Sequence, residues 1–247
     1  MMRASLAGTE ILKWTALRGL TRLSGNPRYA MQLEELNAKR HGDLARLANE
    51  TGISLETLVH QLDIGLDNPA YRFKRDAALF AYFLAEANRL RGCSWLDVGA
   101  DTGAVSLYLS EILRSTDFTL CDVHTPPRSN FPVRHIDGTR LDYPDRSFDL
   151  VLFSYVLHHA ADNTIQLLRD ARRIARRNVI VAEDPKETEA DRRWAYQDDP
   201  GGIFRGLREW RALFTLLGFS IVHEAPLSHH AHSRHLFVLA PDPQYPA

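Results

Sequence analysis

From Ser94 onward, short apolar runs alternate with helical stretches, and this alternation limits the possible folds more than any other feature of the chain. Trp95-Leu96-Asp97-Val98, Phe118-Thr119-Leu120-Cys121, Val133-Arg134-His135-Ile136, Leu150-Val151-Leu152-Phe153 and Val179-Ile180-Val181-Ala182 have strand length and β-branched content. Helical stretches near 103–114, 163–176 and 207–217 lie between or after them. Such a pattern predicts a parallel sheet covered on both faces. Two further strands, Ser220 to Glu224 and His235 to Leu239, are separated by a hairpin-length loop. They predict an antiparallel pair at the end, giving a doubly wound, seven-stranded mixed α/β sheet.

Residues 1 to 92 read instead as helices with polar breaks. Asn26-Pro27 breaks the first helix. Asp43 and Thr51-Gly52 bound a short one, Ser54 caps another, and Asp67-Asn68-Pro69 is a turn before a long helix from Ala70 to Arg91, ended by Gly92. We divide the chain into an N-terminal helical cap or dimerisation segment, 1–69, and a sheet-bearing domain, 70–247. The first 28 residues set Arg3, Lys13, Arg18, Arg22 and Arg28 against Glu10, with Leu12, Ala16, Leu20 and Leu23 at helical spacing. This basic amphipathic helix could be a transit peptide or an interfacial anchor. Most such stripes serve packing, so the favoured reading is a helix docked on its own protein or on a twin subunit in a homodimer.

Charge and cysteine content narrow the classes further. Lys plus Arg number 30 against 31 Asp plus Glu, so the net charge of -1 supplies no field toward nucleic acid or an anionic membrane. Leu44 to Leu58 has the rhythm of a helix-turn-helix, but its second helix, Ser54 to Leu62, carries Glu56 and no Lys or Arg. It offers a phosphate backbone nothing, and no nucleic-acid partner is expected. No apolar run approaches the roughly 18 residues of a membrane span. Cys93 and Cys121 lack CxxC spacing, which fits a reducing, cytoplasmic compartment.

The first strand runs into Asp97-Val98-Gly99-Ala100-Asp101-Thr102-Gly103 and then into a helix. Glycines there let the backbone approach a ligand at a helix N-terminus. A dinucleotide fingerprint wants glycines where this chain has Asp101 and Ala104, and Asp101 would repel a pyrophosphate. The loop therefore suits a ligand bearing positive charge. Asp122 closes the second strand, Asp137-Gly138 the third, and Leu141 to Asp149 leads into the fourth.

This succession, from about 95 to 240, resembles the class I S-adenosylmethionine methyltransferases, especially the group acting on small molecules such as quinones and natural products. The resemblance implies a Rossmann-like fold with an N-terminal helical extension, S-adenosylmethionine as cofactor and a small-molecule acceptor, with O-methylation favoured. It also implies a site. Asp97, Gly99, Asp101 and Gly103 would shape the loop around the methionine part, and Asp122 would hold the ribose. Asp137 and Gly138 would meet the adenine amino group, and the backbone at Phe153 and Ser154 would face the sulfonium. The family usually has glycine in place of Asp101, and a Pro-Gly-Gly turn in place of Arg176-Arg177-Asn178 before the fifth strand.

After the fourth strand comes Ser154-Tyr155-Val156-Leu157-His158-His159. Methyl transfer needs alignment of nucleophile, methyl and sulfur, and often removal of a proton. His158 or His159 is the candidate base, with Asp184 or Glu183 after the fifth strand as its orienting acid. Each of these residues has an ordinary alternative as a packing histidine, helix cap or turn residue. His229, His230, His232 and His235 could bind zinc or nickel, but no acid or thiol stands among them, and no metal is expected. Tyr71 to Arg75 could close over the cofactor carboxylate. The competing readings are a nicotinamide-dependent oxidoreductase, a DNA-binding regulator, and a methyltransferase-fold protein that uses S-adenosylmethionine for another reaction or for regulation.

Overall fold

A computed structural model describes residues 20, 23–24, 26–29, 31–32, 79–101, 103–124, 131–198, 201–226 and 233–245. Most of the N-terminal segment, the helix-turn-helix-like stretch, Tyr71 to Arg75 and His229, His230 and His232 lie outside these residues.

Helical residues 79–85 lead through a turn at Glu86 into α1 (Ala87–Leu90). Gly92 then takes φ +73, the left-handed conformation in which glycine commonly follows a helix. The sheet comprises β1 (Trp95–Val98), β2 (Phe118–Asp122), β3 (Val133–His135), β4 (Phe148–Ser154), β5 (Ala175–Glu183), β6 (Phe219–Pro226) and β7 (His235–Pro241), in the order β3-β2-β1-β4-β5-β7-β6. Pairings among β1 to β5 are parallel, and β7 runs antiparallel between β5 and β6. The last hairpin thus inserts its second strand beside β5, placing His235 opposite Glu183. Helices α2 (Ala104–Leu113), α3 (Thr164–Ile174), α4 (Glu189–Asp198) and α5 (Leu207–Leu216) complete the fold.

Alternation along each strand feeds two cores. Trp95, Leu150, Leu152, Ile180, Ala182, Leu236 and Val238 pack on one face with α2 residues Tyr108, Leu109, Ile112 and Leu113. Leu96, Val98, Val151, Phe153, Val179, Val181, Phe237 and Leu239 pack on the other with α3 and with Trp210 and Phe214 of α5. Burial on both faces explains why the central strands read as continuous apolar runs. In α3 the buried set Thr164, Leu167, Leu168, Ala171 and Ile174 repeats at three and four residues. Leu20 and Tyr29 are buried in the first core, so this part of the N-terminal segment packs on the sheet domain of its own chain.

Two expectations change. Arg176-Arg177-Asn178 is not a loop, because β5 begins at Ala175 directly after α3. Arg176 meets Asp149 at 3.3 Å and donates to the carbonyls of Arg146 and Ser147, and Arg177 donates to the carbonyl of Arg89. These bonds take over the fixing of the strand start. Helix α4 was not expected, because it has no apolar repeat. A capping box starts it: Asp191 Oδ2 accepts from the Thr188 N–H and hydroxyl, both at 2.8 Å, while the Asp191 N–H donates to Thr188 Oγ1 at 3.0 Å.

Candidate functional site

Chain order reverses between β1 and β4, which opens a crevice at the carboxyl ends of the strands, where sheets of this kind take ligands. A cavity of about 570 Å³ lies there, walled by the residues that follow β1, β2, β3 and β4.

The turn after β1 depends on Gly99. Its φ is +72, and a Cβ there would stand 2.4 Å from Val156 Cγ2 and 2.9 Å from Cγ1. The N–H groups of Gly99 and Ala100 donate to the Cys121 carbonyl at 2.8 and 3.2 Å, which ties the turn to the end of β2. Asp101 follows with φ +47, and its N–H donates to Asp122 Oδ2 at 2.8 Å. His124 N–H donates to the other oxygen, Oδ1, at 2.9 Å. Two backbone donors therefore fix the Asp122 carboxylate at the cavity wall. A carboxylate has about four acceptor positions, so two remain for a ligand. Asp97 is held from behind, where Trp95 Nε1–H donates to Ser106 Oγ at 2.8 Å and the Ser106 hydroxyl donates to Asp97 Oδ2 at 2.6 Å.

Asp97, Gly99, Asp101, Asp122, Asp137, Gly138 and Ser154 all line the cavity. Asp137 is exposed, and its Oδ1 accepts from Thr139 N–H and Oγ1; these two bonds hold the carboxyl below its usual range. The Ser154 hydroxyl is buried and has no hydrogen-bond partner among the described residues. Gly103 has a packing role: at φ +77 it begins α2, and a Cβ there would stand 2.6 Å from Leu120 Cδ1. At Phe153 the expected contact was with the backbone; its side chain is fully buried in the second core, and the neighbouring Ser154 lines the cavity. Period-two alternation makes neighbouring strand residues face opposite ways.

The histidines divide by position. His159 is exposed and lines the cavity, whereas His158 is buried against Phe204, with ring centroids 4.7 Å apart and nearly parallel. His158 Nδ1 lies 2.7 Å from Glu183 Oε2, and Glu183 Oε1 accepts from the Leu157 N–H at 2.7 Å. Of the two acids expected to orient the ring, Glu183 makes the bond and Asp184 does not. Asp184 pairs with Arg234 at 3.1 Å. Burial pushes the Asp184 carboxyl up to about 6, against the opposing pull of Arg234. Tyr155, a residue of the cavity wall, has φ +59, an uncommon conformation for a bulky residue. Sequence reasoning missed Arg234 because nothing local marks a residue that β7 brings to the end of β5. His235, the described member of the second histidine group, bonds Glu224 at 2.7 Å.

The methyltransferase domain family matches residues 70–224. The chain belongs to that family. It is a methyltransferase dependent on S-adenosylmethionine, with the seven-stranded Rossmann-like sheet of that class. Similar folds occur in a chain of the Haloferax volcanii complex built around the Trm112 methyltransferase activator, at 14% identity and TM-score 0.57, covering 69% of this chain and 90% of that one. The magnesium protoporphyrin IX methyltransferase of Synechocystis PCC 6803, solved with bound SAH, is similar at 15% identity and TM-score 0.53, covering 70% and 85%. The PH0226 protein of Pyrococcus horikoshii is similar at 16% identity and TM-score 0.54, covering 73% and 94%. No curated protein matches in sequence. Among the described residues no helix is long and apolar enough to cross a membrane.

Proposed function

We propose that this methyltransferase acts on the hydroxyl oxygen of a small organic acceptor, with His158 as general base positioned by Glu183. One observation carries the assignment of the cavity to the methyl donor. Asp97, Asp101, Asp122 and Asp137 bring four carboxylates to its described wall, and no Lys or Arg is among the described residues that line it. Such a surface suits a ligand carrying an ammonium and a sulfonium and repels a pyrophosphate, which counts against a nicotinamide dinucleotide.

When bound, the donor supplies an electrophilic methyl group on sulfur. Asp122 accepts the ribose hydroxyls, Asp137 and Gly138 meet the adenine, and the Gly99 turn with Asp101 and Ser154 surrounds the methionine part. Glu183 accepts a hydrogen bond from the Nδ1–H of His158, which orients the ring and stabilises its charged form, and His158 takes the acceptor's proton as the oxygen attacks the methyl carbon and the sulfur leaves as the thioether. His159, on the cavity wall, is the second candidate for that step. Leu20 and Tyr29, buried in the core of their own chain, favour docking of the N-terminal helix on its own domain over a homodimer contact. The two buried thiols fit a cytoplasmic protein.

Calorimetry tests the assignment. S-adenosylmethionine and S-adenosylhomocysteine bind and NAD does not. Asp122→Ala weakens S-adenosylhomocysteine by about 30-fold, roughly 2 kcal/mol for lost charge-assisted bonds. Binding of NAD alone, or unchanged affinity in a folded Asp122→Ala variant, refutes it.

A further inference from the structure

Arg234 stands just before β7, and its side chain is only 3% exposed. Its Nε–H donates to Asp184 Oδ1 at 3.1 Å, while Nη1 is buried with no hydrogen-bond partner among the described residues. The guanidinium carbon lies 5.2 Å from the centroid of the Tyr155 ring. Tyr155 is itself part of the cavity wall and is held in its uncommon backbone conformation by its N–H bond to the Ala182 carbonyl at 2.8 Å. The guanidinium therefore packs on a residue of the cavity wall. Its neighbour is equally telling: Asp184 directly follows Glu183, the acid that holds His158.

A guanidinium has five N–H donors in a planar fork matched to a carboxylate. A buried ionic donor left unused is uncommon in folded proteins, and such groups are found where a ligand or water completes them. A strained residue at the same place points the same way, since uncommon backbone conformations collect at sites of function. Asp184 balances the charge of Arg234 and occupies one edge of the fork.

We propose that Arg234 is the anion-recognition residue of the acceptor site, and that the acceptor is a hydroxylated carboxylic acid whose carboxylate bonds Nη1 while its hydroxyl is presented to His158. This rests on the assignment of the crevice to methyl transfer, and it names the class of acceptor that the assignment leaves open. Anchoring at Nη1 would also orient the acceptor, because a charge-assisted hydrogen bond is short and directional.

The test is calorimetry on the full chain saturated with S-adenosylhomocysteine, using benzoate against benzamide and hexanoate against hexanamide. These pairs match in shape and differ in charge. At least one carboxylate is expected to bind about 10-fold or more tightly than its amide, the margin of a charge-assisted bond over a neutral one. Arg234→Gln abolishes that preference and leaves S-adenosylhomocysteine affinity unchanged. Asp184→Asn, which removes the competing charge, strengthens carboxylate binding and keeps the proposal testable if Arg234→Gln does not fold. Equal binding of acid and amide, no binding of either acid, a preference that survives in Arg234→Gln, or weaker carboxylate binding in Asp184→Asn overturns it. Failure of S-adenosylhomocysteine itself to bind would instead refute the site assignment.

Discussion

Replacing Gly99 by Ala tests whether the turn after β1 is built around the absence of a side chain. Two costs follow from the structure. The φ of +72 costs a residue with a Cβ about 1–2 kcal/mol. The Cβ would also stand 2.4 Å from Val156 Cγ2, well inside contact distance, and overpacking of this kind costs about 1–3 kcal/mol. Together they predict a loss of about 2–5 kcal/mol. Val156→Ala separates the two, since it removes both Cγ atoms and leaves the Cβ of residue 156 at 3.2 Å. The double variant should recover the packing part, a favourable coupling of about 1–3 kcal/mol, and keep the backbone part. Urea unfolding with a check on the m-value measures both, and calorimetry with S-adenosylhomocysteine should show weaker binding in Gly99→Ala as the turn shifts. A Gly99→Ala loss below about 0.5 kcal/mol, the range of ordinary surface changes, would refute the reasoning. So would simple additivity of the two substitutions.

Three variants divide the histidine site: His158→Ala should lower kcat on the acceptor by about 100-fold with donor affinity unchanged, Glu183→Gln should lower it less, and the reverse ranking of His158→Ala and His159→Ala would move the base to His159. Added imidazole should partly restore His158→Ala if the lost group is a proton acceptor, whereas a packing defect would not respond. Asp184 sets a pH dependence of stability. Its carboxyl is raised from 3.8 to about 6, so the folded state holds the proton more tightly than the unfolded chain, and the resulting stability is full below 3.8 and lost as pH rises through 6. A shift of about two units caps that loss at about 3 kcal/mol, and thermal melts of Asp184→Asn across this window should show a correspondingly flatter profile. Parallel profiles for the two proteins would contradict it.

The strands were legible because burial on both faces leaves an uninterrupted apolar signal, as in Trp95 to Val98 and Val179 to Ala182. Asp122 and Asp137 were legible as cavity residues because each lies at or just past a strand end, a place fixed by topology once the alternation is known. What escaped depends on contacts between distant segments. Glu183 and Asp184 are adjacent in sequence, and which of them meets His158 is decided by how the end of β5 faces Leu157 and Arg234. Helix α4 escaped for a different reason, because its signal is the cap at Thr188 and Asp191 and lacks any apolar stripe. That same aspartate also accepts from Ser233 N–H at 2.7 Å, anchoring the chain one residue before Arg234.

Asp101 carries the remaining question, since the resembled family usually places glycine there. Glycine tolerates positive φ without penalty, so its replacement would be expected to alter the turn. The backbone at Asp101 nevertheless keeps φ +47, and its N–H reaches Asp122 at 2.8 Å. Aspartate and asparagine are the residues after glycine that enter the left-handed region most readily. The path of the turn is therefore preserved while a carboxylate is added to its wall. Both Asp101 and Asp122 line the cavity. Two N–H groups bind the Asp122 oxygens, and a cationic ligand would complement both carboxylates. The substitution thus makes the cavity less hospitable to phosphates and more so to a ligand whose amino group and sulfur are both positive, which is the charge pattern of S-adenosylmethionine.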